Sequence, residues 1–254
     1  MTLSLEKALV KRGGRAILDS VSLSCAPGQF TALCGPNGAG KTTALSALSG
    51  ALSLSDGRAL LDGAPVSSIP PGDLARRRAV VNQSPVLTFP FEVHEVVAMG
   101  RAPHRGRTND VRDAEIIGAA LEAVDIVHFA ERIITTLSGG ERQRAHIARA
   151  LAQIWDAAQD ANGAPLTRWL LLDEPTAALD LKHQLGLMRL LRRLADDGWG
   201  VVAVLHDLHM VRNHADTVIL FQDGKIAAAG DAASVLTETS IQEVFDLNEP
   251  YAIG

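Results

Sequence analysis

The chain has 254 residues, enough for one large domain or two small ones, and its 47% hydrophobic and 21% charged composition is that of a soluble globular protein. A formal net charge of −5 supplies no global field for nucleic acid or an anionic membrane surface. No apolar run approaches the roughly 20 residues of a spanning helix, and the N-terminus lacks a charged region ahead of an apolar core, so neither direct membrane insertion nor a signal peptide is expected. The two cysteines, Cys25 and Cys34, suit a reducing compartment, and Cys34 reads as a small apolar filler.

In chain order, residues 3–34 read as strands and turns, with Gly13-Gly14 and Pro27-Gly28 as turn signals. The apolar run Phe30–Cys34 leads into Gly35-Pro36-Asn37-Gly38-Ala39-Gly40-Lys41-Thr42, after which Thr43–Leu48 has helical character. Asp56-Gly57 to Asp62-Gly63 predicts a hairpin. Pro70-Pro71-Gly72 reads as a chain break, followed by a short strand over Ala79–Val81. From Ser84 the texture changes, with Pro85, Pro90 and Pro103 as punctuation. Val111, Ala114, Ile117, Leu121 and Val124 then recur at helical spacing. Residues 84–150 are therefore expected to form a mainly helical insert in an α/β core. Asp156–Thr167 reads as a polar surface loop. Trp169–Leu172, Val201–Leu205 and Val218–Phe221 are continuous apolar runs, as in strands buried on both faces of a parallel sheet. Between the first two, Leu185, Met188, Leu191 and Leu194 mark a helical face, and the tail from Ser240 carries no specific signal.

Gly35–Thr42 has the form G-x-x-x-x-G-K-[ST] in a strand–turn–helix context, the phosphate-binding loop. Glycines allow a tight turn whose N–H groups face phosphate oxygens, and the helix N-terminus adds positive potential. Lys41 can reach the β- and γ-phosphates, and the Thr42 hydroxyl suits Mg²⁺. Four apolar runs end in polar residues: the loop itself, Gln83, Asp173-Glu174 and His206. Ligands of open parallel sheets bind beyond the carboxyl ends of the strands, so these four are expected at one site. Asp173 is the expected carboxylate partner of Mg²⁺, and Glu174 can orient or deprotonate an attacking water. His206 is expected to hold γ-phosphate and water in line. His206, His209 and His214 lack the cysteine or carboxylate company of a metal cluster. Ser138 with Glu141 forms a capping box, and Gly139-Gly140 leaves a bare, positively polarised helix end. A second anion cradle in one chain suggests phosphate shared between two molecules.

With Gly35–Thr42, Gln83, Leu137–Glu141, Trp169–Glu174, Ala178-Leu179-Asp180 and His206 together, the chain resembles the ATPase subunits of ABC transporters from about Leu5 to Phe245. The resemblance implies a phosphate-loop NTPase (RecA-like) α/β core with an antiparallel β subdomain and an inserted helical subdomain. The core would span 1–83 and 151–254, and the helical signature subdomain 84–150. It implies a head-to-tail homodimer sandwiching two ATP molecules with Mg²⁺. Gly35–Thr42, with Thr43, of one subunit would be closed over by Ser138, Gly139, Gly140 and Glu141 of the other, with Asp180 at the dimer interface. Gln83 would sense Mg²⁺ and water alongside Thr42 and Asp173, and couple the core to the helical insert, which would dock a coupling helix of a permease. Relatives often carry an aromatic near position 12 to stack on adenine; here Arg12 stands there and could stack by its guanidinium plane.

Phe89–Val93 and Val96–His104 are similar to the importers of haem, ferric siderophores and cobalamin, and the Phe-Pro-Phe run with the loop before Trp169 is most similar to the haem-importer branch. That resemblance implies a membrane permease dimer and a periplasmic haem-binding protein as partners, with the chain on the cytoplasmic face of a bacterial inner membrane. Ferric-siderophore or cobalamin import is the alternative cargo, and a soluble ABC ATPase outside transport the alternative class. Repair ATPases carry long coiled-coil insertions, which this chain lacks, and no guanine-reading Asn-Lys-x-Asp occurs.

Overall fold

A computed structural model describes residues 1–83, 89–160, 162–249 and 251. The predicted change of texture at Ser84 and Pro85 lies outside the described residues, as does Ala161 within the polar loop.

The first half begins with strands β1 (Leu3–Arg12) and β2 (Arg15–Cys25), joined at Gly13-Gly14, then β3 (Phe30–Cys34) and helix α1 (Lys41–Leu48). The predicted hairpin follows as β4 (Asp56–Leu61) and β5 (Ala64–Pro65) around Asp62-Gly63. Pro71 does not break the chain. It opens helix α2 (Pro71–Arg77), because a proline at the first helical position lacks only an N–H that would have no intrahelical partner. Asp73 in its first turn and Arg76 and Arg77 in its last complement the helix dipole. Strand β6 (Arg78–Val81) comes next.

Helices α3 (Val93–Ala98), α4 (Asp110–Ala123) and α5 (Gly139–Gln153) follow, the last running past the expected boundary at 150. On α4 the buried face is Ile116, Ala120 and Leu121, while Val111 is 71% exposed. Of the expected stripe, Leu121 and Val124 are buried and Ile117 packs against the core, whereas Val111 and Ala114 at the start of the helix are exposed. The polar loop carries one antiparallel bridge, Gln159 with Pro165.

The remaining elements are β7 (Trp169–Asp173), α6 (Leu181–Asp196), β8 (Gly200–Val204), α7 (Leu208–His214), β9 (Thr217–Gln222), β10 (Lys225–Asp231), α8 (Ala232–Val235) and α9 (Glu238–Phe245). The tail thus begins as a helix, capped by Thr237. On α6 Met188, Leu191 and Leu194 are buried as expected, joined by Leu187 and Leu190, whereas Leu185 is exposed.

Two sheets result. A four-stranded sheet runs β2-β1-β4-β5 and is antiparallel throughout. A six-stranded sheet runs β10-β9-β3-β8-β7-β6, parallel from β9 to β6, with β10 antiparallel at its edge. Alternation along each central strand divides its side chains between two cores. Leu33, Leu171, Val202, Val204 and Phe221 pack with α1 and the antiparallel sheet, whereas Ala32, Leu170, Leu172, Val201 and Leu220 pack with α3 to α9. Burial on both faces explains why β3, β7 and β8 are apolar without interruption. This α/β architecture is the phosphate-loop NTPase fold. Cys25 and Cys34 are free and buried, and burial pushes both thiols up to about 12.

Candidate functional site

Strands β3, β8, β7 and β6 are parallel neighbours, so the residues that follow them emerge along one edge of the sheet. That edge carries Gly35–Thr42 after β3, His206 beyond β8, Asp173-Glu174 at the end of β7, and Gln83 beyond β6. The structure brings together what the sequence placed at four strand ends.

The loop needs its glycines for separate reasons. Gly35, Gly38 and Gly40 all have positive φ (138°, 80° and 102°), a region that side chains with a Cβ resist. A Cβ on Gly35 would stand 2.2 Å from the Phe221 carbonyl oxygen, and one on Gly40 2.9 Å from that of Ile17. At Gly38 a Cβ would meet no protein atom within 4 Å, which leaves that side of the turn open. Gly40 precedes α1 in left-handed conformation without a side-chain cap, so the first N–H groups of α1 keep their capacity for an anion.

Lys41 is buried, and its Nζ donates to the carbonyls of Gly35 (2.7 Å) and Pro36 (2.8 Å). Burial lowers its pKa, an effect the carboxylates of Glu174 and Asp173 oppose. The Thr42 hydroxyl donates to Asp173 Oδ1 at 2.9 Å. Burial raises the Asp173 carboxyl, the Glu174 charge adds to the rise, and the Thr42 hydrogen bond and Lys41 counter it.

Glu174 is the hub of the edge. Its Oε2 accepts from Gln83 Nε2 at 2.6 Å, and its Oε1 lies 2.7 Å from His206 Nε2. Its backbone has φ 47°, a left-handed conformation that costs a residue with a Cβ about 1 kcal/mol or more. The strain turns the carboxylate between an amide and an imidazole that approach from the strands on either side of β7.

The other predicted residues sit apart from this cluster. Ser138 caps α5: its hydroxyl accepts from Glu141 N–H at 3.3 Å, and the Glu141 carboxylate accepts from Ser138 N–H at 2.7 Å. The second of these bonds holds the Glu141 carboxyl below its ordinary range. Among the described residues, no hydrogen bond or ion pair joins Ser138–Glu141 to the phosphate loop, Gln83, Glu174 or His206. The turn packs instead on Ala178, where a Cβ on Gly140 would stand 2.8 Å from the carbonyl oxygen and one on Gly139 would make an ordinary 3.7 Å contact. Asp180 caps α6, accepting from the backbone N–H of His183 at 2.9 Å. Arg12 faces Arg15 across the Gly13-Gly14 turn and is exposed. It is not part of the cavity of about 690 Å³ beside the loop, whose wall is built by Arg15, Ile17, Asn37 and, from α9, Glu243 and Phe245. Sequence reasoning does not reach Arg15 and α9, because only the hairpin register and the return of the tail bring them there.

The profile of the ABC transporter family matches residues 18–177. The chain is 45% identical over 236 residues to the hemin import ATP-binding protein HmuV of Rhizobium meliloti (strain 1021), covering 93% of this chain and 88% of that one. It is 46% identical over 239 residues to the protein of the same name from Nocardia farcinica (strain IFM 10152), covering 92% and 79%. A solved dimer of an ATP-binding cassette in a post-hydrolysis state, bound to ADP and Pi, matches with a TM-score of 0.77 at 26% identity, over 91% of this chain and 99% of that one.

Proposed function

This chain belongs to the ABC transporter family as one of its ATP-hydrolysing cassettes, and from that premise we propose that it powers a bacterial haem importer. The observation that carries the cargo is the 45% identity, across 93% of the chain, to a hemin import ATP-binding protein. Cassettes of this family dimerise and pair with a membrane permease. Here the assembly would be a homodimer on a permease dimer, with a periplasmic haem-binding protein delivering cargo. No helix among the described residues is long and apolar enough to cross a membrane, so attachment to the inner face of the bacterial inner membrane would run through the permease. In this reading 1–83 and 151–254 bind nucleotide, and 84–150 carries the signature and meets the permease.

The positions of the side chains support the following roles. Gly35–Thr43 cradles the phosphates, with Lys41 leaving its two carbonyl partners for phosphate oxygens. Thr42 and Asp173 present a hydroxyl and a carboxylate oxygen 2.9 Å apart, a hard donor pair that suits Mg²⁺ with phosphate oxygens and water completing its shell. Mg²⁺, when bound, neutralises charge on the transferring phosphate. Gln83 lies close enough through Glu174 to report on that shell. Glu174 orients water and takes its proton, and His206 holds the carboxylate and the γ-phosphate side in register. Ser138, Gly139, Gly140 and Glu141 of a second copy supply the other anion cradle, with Asp180 at the joint. Arg12 at the rim of the hairpin is the weakest member of the set, because the cavity wall is built by Arg15.

Reconstitution with the permease in liposomes tests the cargo. Haem uptake that requires ATP is the expected result. Transport driven by a ferric siderophore or cobalamin and indifferent to haem overturns the haem assignment.

A further inference from the structure

Away from the sheet edge, a cavity of about 270 Å³ lies between α5, the end of α4 and α6. Its α6 wall includes a stripe of Lys182, Gly186, Arg189 and Arg193, spaced at i, i+4, i+7 and i+11, beside His183, Leu187 and Leu190. Three positions of that stripe are cationic, and Arg144 of α5 adds a fourth positive charge from the opposite wall. Asp125 is the single carboxylate in the lining. A basic concentration of this kind is unexpected on a chain of net charge −5.

Among the described residues, Lys182, Arg189 and Arg193 form no ion pair. Arg192 on the same helix reaches both Asp196 and Asp216. Like charges at i, i+4 repel, so Arg189 and Arg193 disfavour the helix unless something neutralises them. Arg144 is 8% exposed, its Nη1 donates to the carbonyls of Val124 (3.2 Å) and Asp125 (2.5 Å), and its Nε has no partner.

Gly186 sits at the middle of this wall with no packing reason for lacking a side chain. A Cβ there would meet nothing within 4 Å. Glycine inside a helix costs about 1 kcal/mol against alanine, so this position keeps space that no protein atom fills. Val124 and Ile147 from the opposite side, with Leu187 and Leu190 of α6 itself, form an apolar floor. The volume has room for about nine water-sized groups, the size of an acidic head on a short acyl chain.

We propose that this cavity binds a small amphiphilic anion, a carboxylate or phosphate monoester with a short apolar tail. Its head is held by Arg189 and Arg193, with Arg144 adding positive charge from the opposite wall, and its body lies over Gly186 on the apolar floor. The anion would join α5 to α6 at a place distinct from the phosphate loop.

The test is calorimetric titration of the full chain, saturated with Mg-ADP so that the phosphate loop is filled, with octanoate, octyl phosphate, inorganic phosphate and 1-octanol. Binding of octanoate or octyl phosphate is expected, and whichever binds identifies the head. Gly186→Leu fills the space with a stronger helix former, and Arg189→Glu with Arg193→Glu reverses two exposed charges. Each should weaken binding at least about tenfold while leaving basal ATP hydrolysis intact, and Gly186→Leu should leave the melting temperature unchanged or higher. No binding of either amphiphile at about 10 mM overturns the proposal. So does binding that survives both variants, 1-octanol binding as well as octanoate, or inorganic phosphate binding as well as octyl phosphate, which would mean an adventitious ion only.

Discussion

Glu174 combines a left-handed backbone, a 2.6 Å hydrogen bond from Gln83 and a 2.7 Å approach of His206, a coincidence that marks strain held for function. Each neighbour comes from a different strand end, so the carboxylate is aimed by the sheet and its direction is set before nucleotide arrives. Glu174→Gln keeps the size and the capacity to accept a hydrogen bond but cannot take a proton. ATP hydrolysis should fall by about 10²-fold or more while ATP binding persists, as read by phosphate release and by equilibrium binding of a fluorescent ATP analogue. Near-normal turnover would remove Glu174 from its assigned role. Lys41 poses the complementary case. It is buried, donates to two backbone carbonyls and has its pKa lowered by burial. Lys41→Ala leaves those carbonyls unpaired and removes the charge proposed to meet the phosphates, so nucleotide affinity should be lost in the same binding assay, with CD showing a retained fold.

At the scale of the element, α5 separates a structural demand from a functional one. Gly140 faces the Ala178 carbonyl so closely that an added Cβ would stand 2.8 Å away, whereas Gly139 has ordinary room at 3.7 Å. Gly140→Ala should therefore lower the melting temperature of the isolated chain, and Gly139→Ala should leave it unchanged or raise it, since alanine favours helix. If a second molecule's phosphate approaches this helix end, Gly139→Ala should still reduce ATP hydrolysis; full activity in that variant would confine the turn to a role within its own chain. The same helix carries a pH dependence. His146 is buried, its Nδ1 has no partner among the described residues, and burial lowers its pKa to about 4, with Arg149 and Arg142 adding to the effect. The ordinary value is near 6.5, so between those two pH values the unfolded chain takes up a proton that the folded chain refuses. Stability should fall as pH drops from about 6.5 toward 4, and His146→Leu should flatten that fall, as urea unfolding at pH 7.5 and pH 5 would measure.

Legibility follows the range of the signals. The central strands are readable as continuous apolar runs because burial on both faces leaves no alternation to interpret, and the strand ends then locate Gln83, Asp173, Glu174 and His206 together. Three features are not readable. Pro71 looks like a break because a proline at the first helical turn and one in a loop are identical in sequence. On α4 the expected stripe holds at Ile117, Leu121 and Val124 but fails at Val111 and Ala114, whose exposure at the start of the helix periodicity alone does not reveal. Arg15 and α9 reach the cavity beside the loop only through a hairpin register and a distant return of the chain.

For the whole molecule, the central question is whether the two anion cradles of one chain act on one nucleotide or on two. The cradle after β3 is complete with Lys41 and Thr42, while Ser138–Gly140 has no bond to it among the described residues. Each active site would then be built from the phosphate loop of one copy and the signature turn of another. Ser138→Arg should block the signature turn by bulk and charge, and Lys41→Ala should empty the phosphate loop, so each variant alone should be inactive. Mixed, they form heterodimers in which the intact loop of the Ser138→Arg chain faces the intact signature of the Lys41→Ala chain, while the opposite site is broken twice. Random pairing makes half of the dimers mixed with one working site of two, so about a quarter of wild-type ATP hydrolysis should return. A site built within one chain predicts no recovery at any mixing ratio, because every chain then carries its own defect. If hydrolysis awaits closure between copies, the recovered activity should also fall on dilution with the dissociation of the dimer, followed in parallel by light scattering.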